Sequence, residues 1–546
     1  MKKAKKTPRQ AAPIPQSVHV SPTTVSSAKL KTFFSLHWQL LTYVVSAILI
    51  RVWNFKESLY FIYDQGRDAL TLQRIAQGDF ILVGPTSGLS GFFLGPLWYY
   101  VGLPGYLLSG GNPYGICLWY IFLGSLAFPL YWWLSHRLFP KKFAVLTAIL
   151  LAIIPGSLGA SLTVWNPLIS VPLMLGALYS FSKARSSRIW FGLGFLLVAL
   201  TLQSEFAYAI FFLPPLFLLI PWLRKQRPHI LDYVTAAFAV GSTLLPQLLF
   251  EVRNQFIMTK SLLAGMQDTS KSVSWGQLFQ QRPLQLLDNS VNLILGPGQS
   301  EANFWLSISL LGLFLIGIIS VLLFSHQATT AEPGAEKNAD QQYLWHLVAL
   351  FALIPYPFFM IWRGNMGYFF SYYLTCHFIF LVPLLVLGLQ KITNQMYRTR
   401  LAPLYSSIII FGAVGLVGVY SFSHWSATIL KPINNGGLAK MMGATQIVYQ
   451  WSTEQSIEPV IQVFTPIIYT EHYDYLFRWQ AKQRNKPIPR TVRQADDKDW
   501  FLVIESWGNE YKSPIFEPWY RNATASGELI RAQTSGNMTI EQWRKN

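Results

Sequence analysis

Cysteine is nearly absent from this chain of 546 residues: there are two, Cys117 and Cys376, each inside an apolar run. So few, so placed, leave no basis for a disulfide framework, and a zinc site built on thiolates is excluded by count. Charge is also scarce. Asp, Glu, Lys and Arg together make up 12% of the chain, against about 25% in a soluble domain. Much of the surface must therefore face something other than water. Acidic residues are rarer still, 25 against 43 Lys and Arg, which leaves a net charge of +18. Nucleic acid is one use for such an excess. Much of it, however, lies in short loops between apolar runs, where it orients a membrane protein, so no nucleic-acid partner is expected. No H-x-x-x-H pair occurs, and His136, His229 and His326 fall on the expected cytoplasmic side. No metal site is specified and no cofactor is called for; a divalent metal remains compatible with the chemistry below but is not indicated. No internal repeat of fixed period is present, nor the short alternating segments of a β-barrel.

What the chain does have is hydrophobic residues, 52% of the total, with 15% aromatic. Several apolar runs reach the roughly 17–25 residues that cross a hydrocarbon core of about 30 Å. The backbone has no water to bond there, so the spans are helices. The opening MKKAKK is followed by polar sequence to about residue 30. That gap is too long for a signal peptide, so residues 1–30 read as a disordered, basic cytoplasmic tail and the first apolar run as a retained anchor.

Eleven spans are expected, near 37–54, 113–136, 143–159, 164–182, 189–205, 207–223, 232–250, 303–325, 343–362, 369–390 and 402–424. The segment from Gly95 to Ser109 is apolar but interrupted by Pro96, Gly102, Pro104 and Gly105; it reads as a helix lying at the interface. If it does not cross, Arg137, Lys141, Lys142, Lys183, Arg185, Arg188, Arg224, Lys225, Arg227, Lys337, Lys391, Arg398 and Arg400 all fall in cytoplasmic loops. That is the positive-inside pattern, and it puts the N-terminus in the cytoplasm and the C-terminus outside. The expected organisation is the tail 1–30, a multispan domain 31–425 with a first outer loop 55–112, and a small extracytoplasmic α/β domain 426–546. A further polar loop, 251–302, also lies outside. Within the last domain, Gly437–Ser452 reads as a helix, and Val460–Phe464 and Trp500–Ile504 as short buried strands. The protein is thus expected to be an all-α polytopic protein of the plasma membrane, apart from that last domain.

Ionisable residues at membrane depth are costly and mark function by default. Here they gather at one face: Asp64, Arg67 and Asp68 in YDQGRDAL, Glu205 in LQSEFAYA, Glu251 and Arg253 in FEVRNQF, and Arg363 in WRGN. A carboxylate within reach of an acceptor hydroxyl can take its proton as a sugar bond breaks, which makes Asp64 and Asp68 the catalytic candidates. A local ion pair or helix cap with Arg67 is the plain alternative. Arg253 and Arg363, with Arg67, suit a phosphate, because guanidinium binds it through two parallel hydrogen bonds; snorkelling to headgroups is the alternative. Glu205 suits a sugar hydroxyl, an arginine or a metal. Trp98, Tyr99, Trp165, Tyr372 and Tyr373 either stack on a sugar or belong to the aromatic belts of the interface.

These residues carry a resemblance. The first span, YDQGRDAL, the segment GPTSGLSGFFLGPLWYYVGLPGYLLSGGNPYG, a span and the basic RLFPKK are similar to the GT-C class of membrane glycosyltransferases. They resemble in particular the bacterial relatives of the protein O-mannosyltransferases and of the aminoarabinose transferase that modifies lipid A. It covers roughly residues 37–225 by motif and the rest by layout. It implies a sugar donor linked to polyprenyl phosphate, inversion at the anomeric carbon, Asp64 as base, and an acceptor (protein, lipid or glycan) on the extracytoplasmic face. The chain departs from the pattern at Leu94-Gly95-Pro96, where relatives carry His-Pro-Pro or Glu-Lys-Pro. It departs again at Trp165-Asn166-Pro167, where they carry an Arg-Pro-Asp-like triplet, and at Glu205, near a common histidine. A polymerase or ligase of lipid-linked glycans would place its key arginines in a large late outer loop. A transporter or flippase of lipid-linked sugars would show repeated halves and broken helices near the midplane. A nonenzymatic scaffold would leave the charge cluster without a use.

Overall fold

The structure is a computed structural model, and it describes residues 27–87, 91–224, 228–267, 273–299, 303–324, 335–363, 369–396, 402–433, 435–466, 469–492, 497–506 and 514–546. Most of the expected basic tail lies outside the described residues, as do Lys225, Arg227, His326, Arg398 and Arg400. Residues Met1–Thr42 and Tyr43–Asn546 form two units. The described part of the first is helical; the second holds the core and the site described below.

Among the described residues, six helices are long and apolar enough to cross a membrane: Pro113–Leu138, Ile230–Arg253, Phe304–Leu323, Asn338–Ile361, Phe378–Gln395 and Ile410–Leu430. A seventh candidate is the pair Lys141–Ile153 and Pro155–Leu162, bent by 47°. Its bend falls at Pro155, whose ring has no N–H to continue the ladder. Shorter apolar helices run over His37–Val52, Arg188–Leu202 and Phe206–Leu218. This is a multi-pass helical membrane protein. Its large apolar core gathers Phe128, Leu134, Phe195, Tyr208 and Phe380 from four of these helices, and Met174 from the helix Ser170–Ser182.

One expected span is displaced. Tyr372 and Tyr373, placed by sequence inside 369–390, lie in a 3-10 turn, Ser371–Leu374, and the helix begins only at Phe378. The carbonyl of Tyr372 accepts from both the N–H and the hydroxyl of Thr375, at 3.0 and 2.6 Å. That local bonding competes with an α-helical start.

The segment expected as the first outer loop folds as a helix Phe55–Ser58, a helix Tyr63–Ala76 (the aspartate helix), a tight loop, and the helix Leu97–Leu108, expected at the interface and called the interfacial helix below. In the loop, Gly84 N–H donates to the Leu94 carbonyl at 2.7 Å, and a Cβ on Gly84 would lie 2.0 Å from the Gly95 carbonyl oxygen. Only glycine permits that approach.

The C-terminal region opens on the helix Leu438–Glu454 and builds a five-stranded sheet. Its strands are β1 (Val460–Phe464), β2 (Arg490–Thr491), β3 (Asp499–Glu505), β4 (Gly527–Ser535) and β5 (Met538–Lys545), in the order β2-β1-β3-β5-β4. β1 pairs parallel with β2 and β3; β5 pairs antiparallel with β3 and β4. The helix Glu471–Arg484 makes the crossover from β1 to β2, as a parallel pair requires. Continuous apolar strands such as β1 and β3 are the mark of burial on both faces, and all of β3 is buried.

This region is stitched to the first loop. Phe61 N–H donates to the Gly436 carbonyl at 2.8 Å, Leu438 N–H to the Leu59 carbonyl at 2.9 Å, and Tyr60 and Gly437 form an antiparallel bridge. A single core joins Leu72 and Trp98 of the loop to Met441, Tyr473 and Phe501 of the C-terminal region.

Candidate active site

The aspartate helix is fixed at its start by Gln65. The Gln65 side-chain oxygen accepts from the Ile62 N–H at 3.0 Å, closing the first turn, and its Nε2 donates to the Val164 carbonyl at 2.7 Å. The second bond ties the helix to the turn that carries Trp165. Asp64, in that first turn, sits where the helix dipole favours an anion.

The three charges of this helix form one set. Arg67 pairs through Nη1 with Asp64 at 2.8 Å. Through Nε and Nη2 it also donates to Oδ1 of Asp68, at 2.9 and 2.7 Å. The other Asp68 oxygen accepts the Trp98 indole N–H at 2.6 Å. Burial pushes the Asp68 carboxyl up from its ordinary range, against the opposing pull of Arg67 and Trp98. The two carboxylates differ in access: the Asp64 side chain is 28% exposed and that of Asp68 5%. Trp98 offers no face to a sugar, because it is buried and stacked on Tyr120 at 3.8 Å. Tyr99 is buried too, and its hydroxyl bonds to Thr71 and Arg67.

A second set adjoins the first. Glu205 is 6% exposed, and its carboxylate accepts from the Ala207 backbone; no ion pair to it occurs among the described residues. With Thr86, Ser87, Trp165, Tyr372 and Tyr373 it lines a cavity of about 30 Å³, room for a water molecule. Trp165 and Tyr372 meet edge to face at 4.9 Å. The same two residues line a larger cavity of about 270 Å³, whose other walls include Pro155, Ala160, Leu168 and Leu293. Tyr372 joins the two sets, since its hydroxyl feels the charges of both Glu205 and Asp64.

The arginines fall elsewhere. Arg253 is exposed at the end of the Ile230–Arg253 helix. Its neighbour Glu251 is spent on structure: its carboxylate accepts from the N–H groups of Met258 and Thr259, each at 2.9 Å, and so caps the next helix. Arg363 donates to the Val273 carbonyl at 3.1 Å and lies over the Trp275 ring. The sequence reading missed Arg282. It is fully buried in the helix Trp275–Leu295, lies over the Phe369 ring, donates to the Trp362 carbonyl at 3.4 Å and acts electrostatically on Tyr373. The signal available was a lone cation in an otherwise uncharged stretch, LFQQRPLQLL. Gln203 and Asn166 were also missed. Gln203 accepts from Leu97 N–H at 3.1 Å, and Asn166 donates to the Ser204 carbonyl at 2.6 Å. Between them they tie the interfacial helix and the Trp165 turn to the loop before Glu205. Among the described residues, no group of three or more His, Cys, Asp and Glu side chains could hold a metal ion.

No protein-family model and no curated protein matches this chain. Solved structures do. Apo ArnT from Cupriavidus metallidurans aligns over 93% of this chain and 98% of its own, at 14% identity and a TM-score of 0.55. The chain is similar in fold to ArnT. A second ArnT structure from the same organism, bound to undecaprenyl phosphate, aligns over the same shares with a TM-score of 0.52. The resemblance to the GT-C class therefore holds at the level of the fold. The ArnT likeness runs through the membrane helices and most of the C-terminal region, since so little of either chain is left unaligned.

Proposed function

We propose that this protein is a glycosyltransferase that moves a sugar from a polyprenyl-phosphate donor to an acceptor hydroxyl on the extracytoplasmic face of the membrane. The observation that carries this reading is the asymmetry of the aspartate helix. Asp68 is buried and held on both oxygens, while Asp64, sharing the same arginine, keeps access to solvent. A base must be reachable, and its position must be fixed by neighbours that are not.

In this reading Asp64 takes the proton of the acceptor hydroxyl. The hydroxyl oxygen bonds to the anomeric carbon while the bond from that carbon to the phosphate oxygen breaks, and the electron pair leaves with the phosphate. Attack from the far side inverts the centre. Asp68, Trp98, Tyr99 and Arg67 are positioning residues. Glu205, Trp165, Tyr372 and Tyr373 line the sugar side. Arg282, which acts on Tyr373, serves the phosphate, whose developing charge needs stabilising; Arg363 is spent on the Val273 carbonyl and the Trp275 ring, and Arg253 is left to lipid headgroups. The larger cavity beyond Trp165 and Tyr372 is apolar enough to admit the start of a prenyl chain, and undecaprenyl phosphate is what the ArnT of similar fold binds. The eleven spans, with the N-terminus in the cytoplasm and residues 426–546 outside, belong to the same proposal. The test is turnover of a polyprenyl-phosphate sugar by the purified protein, with loss in Asp64→Asn at unchanged thermal stability. Normal turnover in that variant rules out the base.

A further inference from the structure

Tyr63 and Tyr469 come from opposite ends of the chain and meet beside the base. Tyr63 opens the aspartate helix, directly before Asp64; Tyr469 lies just before the crossover helix Glu471–Arg484. Their ring centroids are 4.5 Å apart, with planes inclined by 34°. Tyr469 is 55% exposed. Neither ring belongs to the cores described above.

Carboxylates surround this pair. The Tyr63 hydroxyl bonds to Arg67, whose guanidinium also lies over the Tyr63 ring at 5.4 Å, and it feels Glu471 and Asp64. Asp474, one turn into the crossover helix, feels Glu471 and is partly offset by Arg478. Arg67 is already shared between Asp64 and Asp68, which leaves the surroundings of the two rings with a surplus of negative charge.

We propose that Tyr469, backed by Tyr63, forms the platform on which the acceptor rests, and that the acceptor is an uncharged sugar. This rests on the reading of Asp64 as base. The face of an aromatic ring is electron-rich, and one face of a pyranose is a patch of C–H groups with partial positive charge, so the two stack. The hydroxyls around the sugar's edge are donors, and ionised carboxylates only accept; Asp64 and Glu471 fit that edge. A phosphorylated acceptor would meet these carboxylates with like charge, which costs binding.

The full-length protein in lipid nanodiscs tests this by saturation-transfer NMR. The probes are methyl α-mannopyranoside and methyl β-glucopyranoside, a neutral serine-containing hexapeptide, and glycerol phosphate. Saturation transfer to the ring protons of at least one glycoside is expected, and not to the peptide or glycerol phosphate. Tyr469→Ala should weaken the glycoside signal about fivefold, the size of one lost aromatic contact, while Tyr469→Phe retains it. Silence from both glycosides, preference for the peptide or for glycerol phosphate, or an unchanged signal in Tyr469→Ala overturns the proposal. Asp64→Asn separates the two readings. If it turns over normally, the base is wrong; the platform stands or falls on the Tyr469 variants alone.

Discussion

Trp98 donates its indole N–H to Oδ2 of Asp68 across 2.6 Å, while Arg67 occupies Oδ1. With both oxygens held, the Asp68 carboxylate cannot turn. Arg67, fixed by Asp68, then presents Nη1 to Asp64 at 2.8 Å. The order of support runs from the interfacial helix, through a buried carboxylate and one guanidinium, to the carboxylate that reaches solvent.

Asp64→Asn keeps the shape and removes the carboxylate proposed as base. Transfer should fall by roughly 10²–10⁴-fold, the usual contribution of a positioned base. Binding of the sugar-free polyprenyl phosphate should change little. The checks are single-turnover rates and lipid binding on the same preparation.

Trp98→Phe removes the bond to Asp68 and leaves a buried carboxylate oxygen unpartnered. A buried hydrogen bond to a charged group is worth about 1.5–3 kcal/mol. A lower unfolding temperature is expected, with a fall in kcat smaller than that of Asp64→Asn and little change in the donor KM. A large change in KM alone would mean that Trp98 contacts the donor.

Arg67→Ala should show a pH-dependent cost. Burial already raises the Asp68 carboxyl, so its ionised form is disfavoured in the folded state. Stability on its account is greatest at low pH and falls as pH rises through its folded value. Without Arg67 that value climbs further. The deficit against the wild type should therefore grow from about pH 4 to pH 7, to roughly 3 kcal/mol for a broken buried pair. Thermal melts across pH measure it, and Asp68→Asn in the same background should flatten the trend. An equal deficit at both ends assigns the effect to a group other than Asp68.

Arg282→Ala and Arg282→Lys should both weaken polyprenyl-phosphate binding, the lysine less, because it keeps the charge but loses the planar fork. Arg253→Ala, at an exposed helix end, should leave it within about twofold, as for a surface change. If Arg253→Ala is the damaging variant, the phosphate assignments exchange places.

Gly66→Ala tests the contact between the aspartate helix and the C-terminal region. A Cβ there would lie 2.2 Å from the His472 Cα and 2.3 Å from its backbone nitrogen. Backbone on both sides cannot yield as a side chain would. A loss of about 1–3 kcal/mol is expected from overpacking, together with faster proteolysis of the C-terminal region and lower turnover. Wild-type protease resistance would show that the contact is dispensable.

Much of this architecture is legible in sequence, for definite physical reasons. Runs such as Phe304–Leu323 are long and uncharged, so their crossing needs no tertiary information. Val460–Phe464 matches β1 as read, and Trp500–Ile504 falls within β3, because two continuous apolar runs flanked by polar sequence have few other uses. The strands β4 and β5 were not legible. GELIRAQTS is mostly exposed and mixed in character, and only pairing along β5 makes it a strand. The same limit applies within the site. Asp64 and Asp68 are four residues apart on one helix and read alike in sequence. What separates them is a tryptophan 30 residues downstream, whose bond to Asp68 depends on how the interfacial helix folds back. Arg282 was passed over because its burial comes from Trp362 and Phe369, on segments far along the chain.

The bridge between Tyr60 and Gly437 has a consequence for biogenesis. The ribosome delivers the aspartates early, but the strand partner that borders them emerges only after the last helix has been threaded into the bilayer. Until then the loop before Asp64 lacks the backbone bonds that complete it. A nascent chain halted before Gly437 would thus be inserted without those bonds, and under the proposed function its activity would arrive only near the end of synthesis.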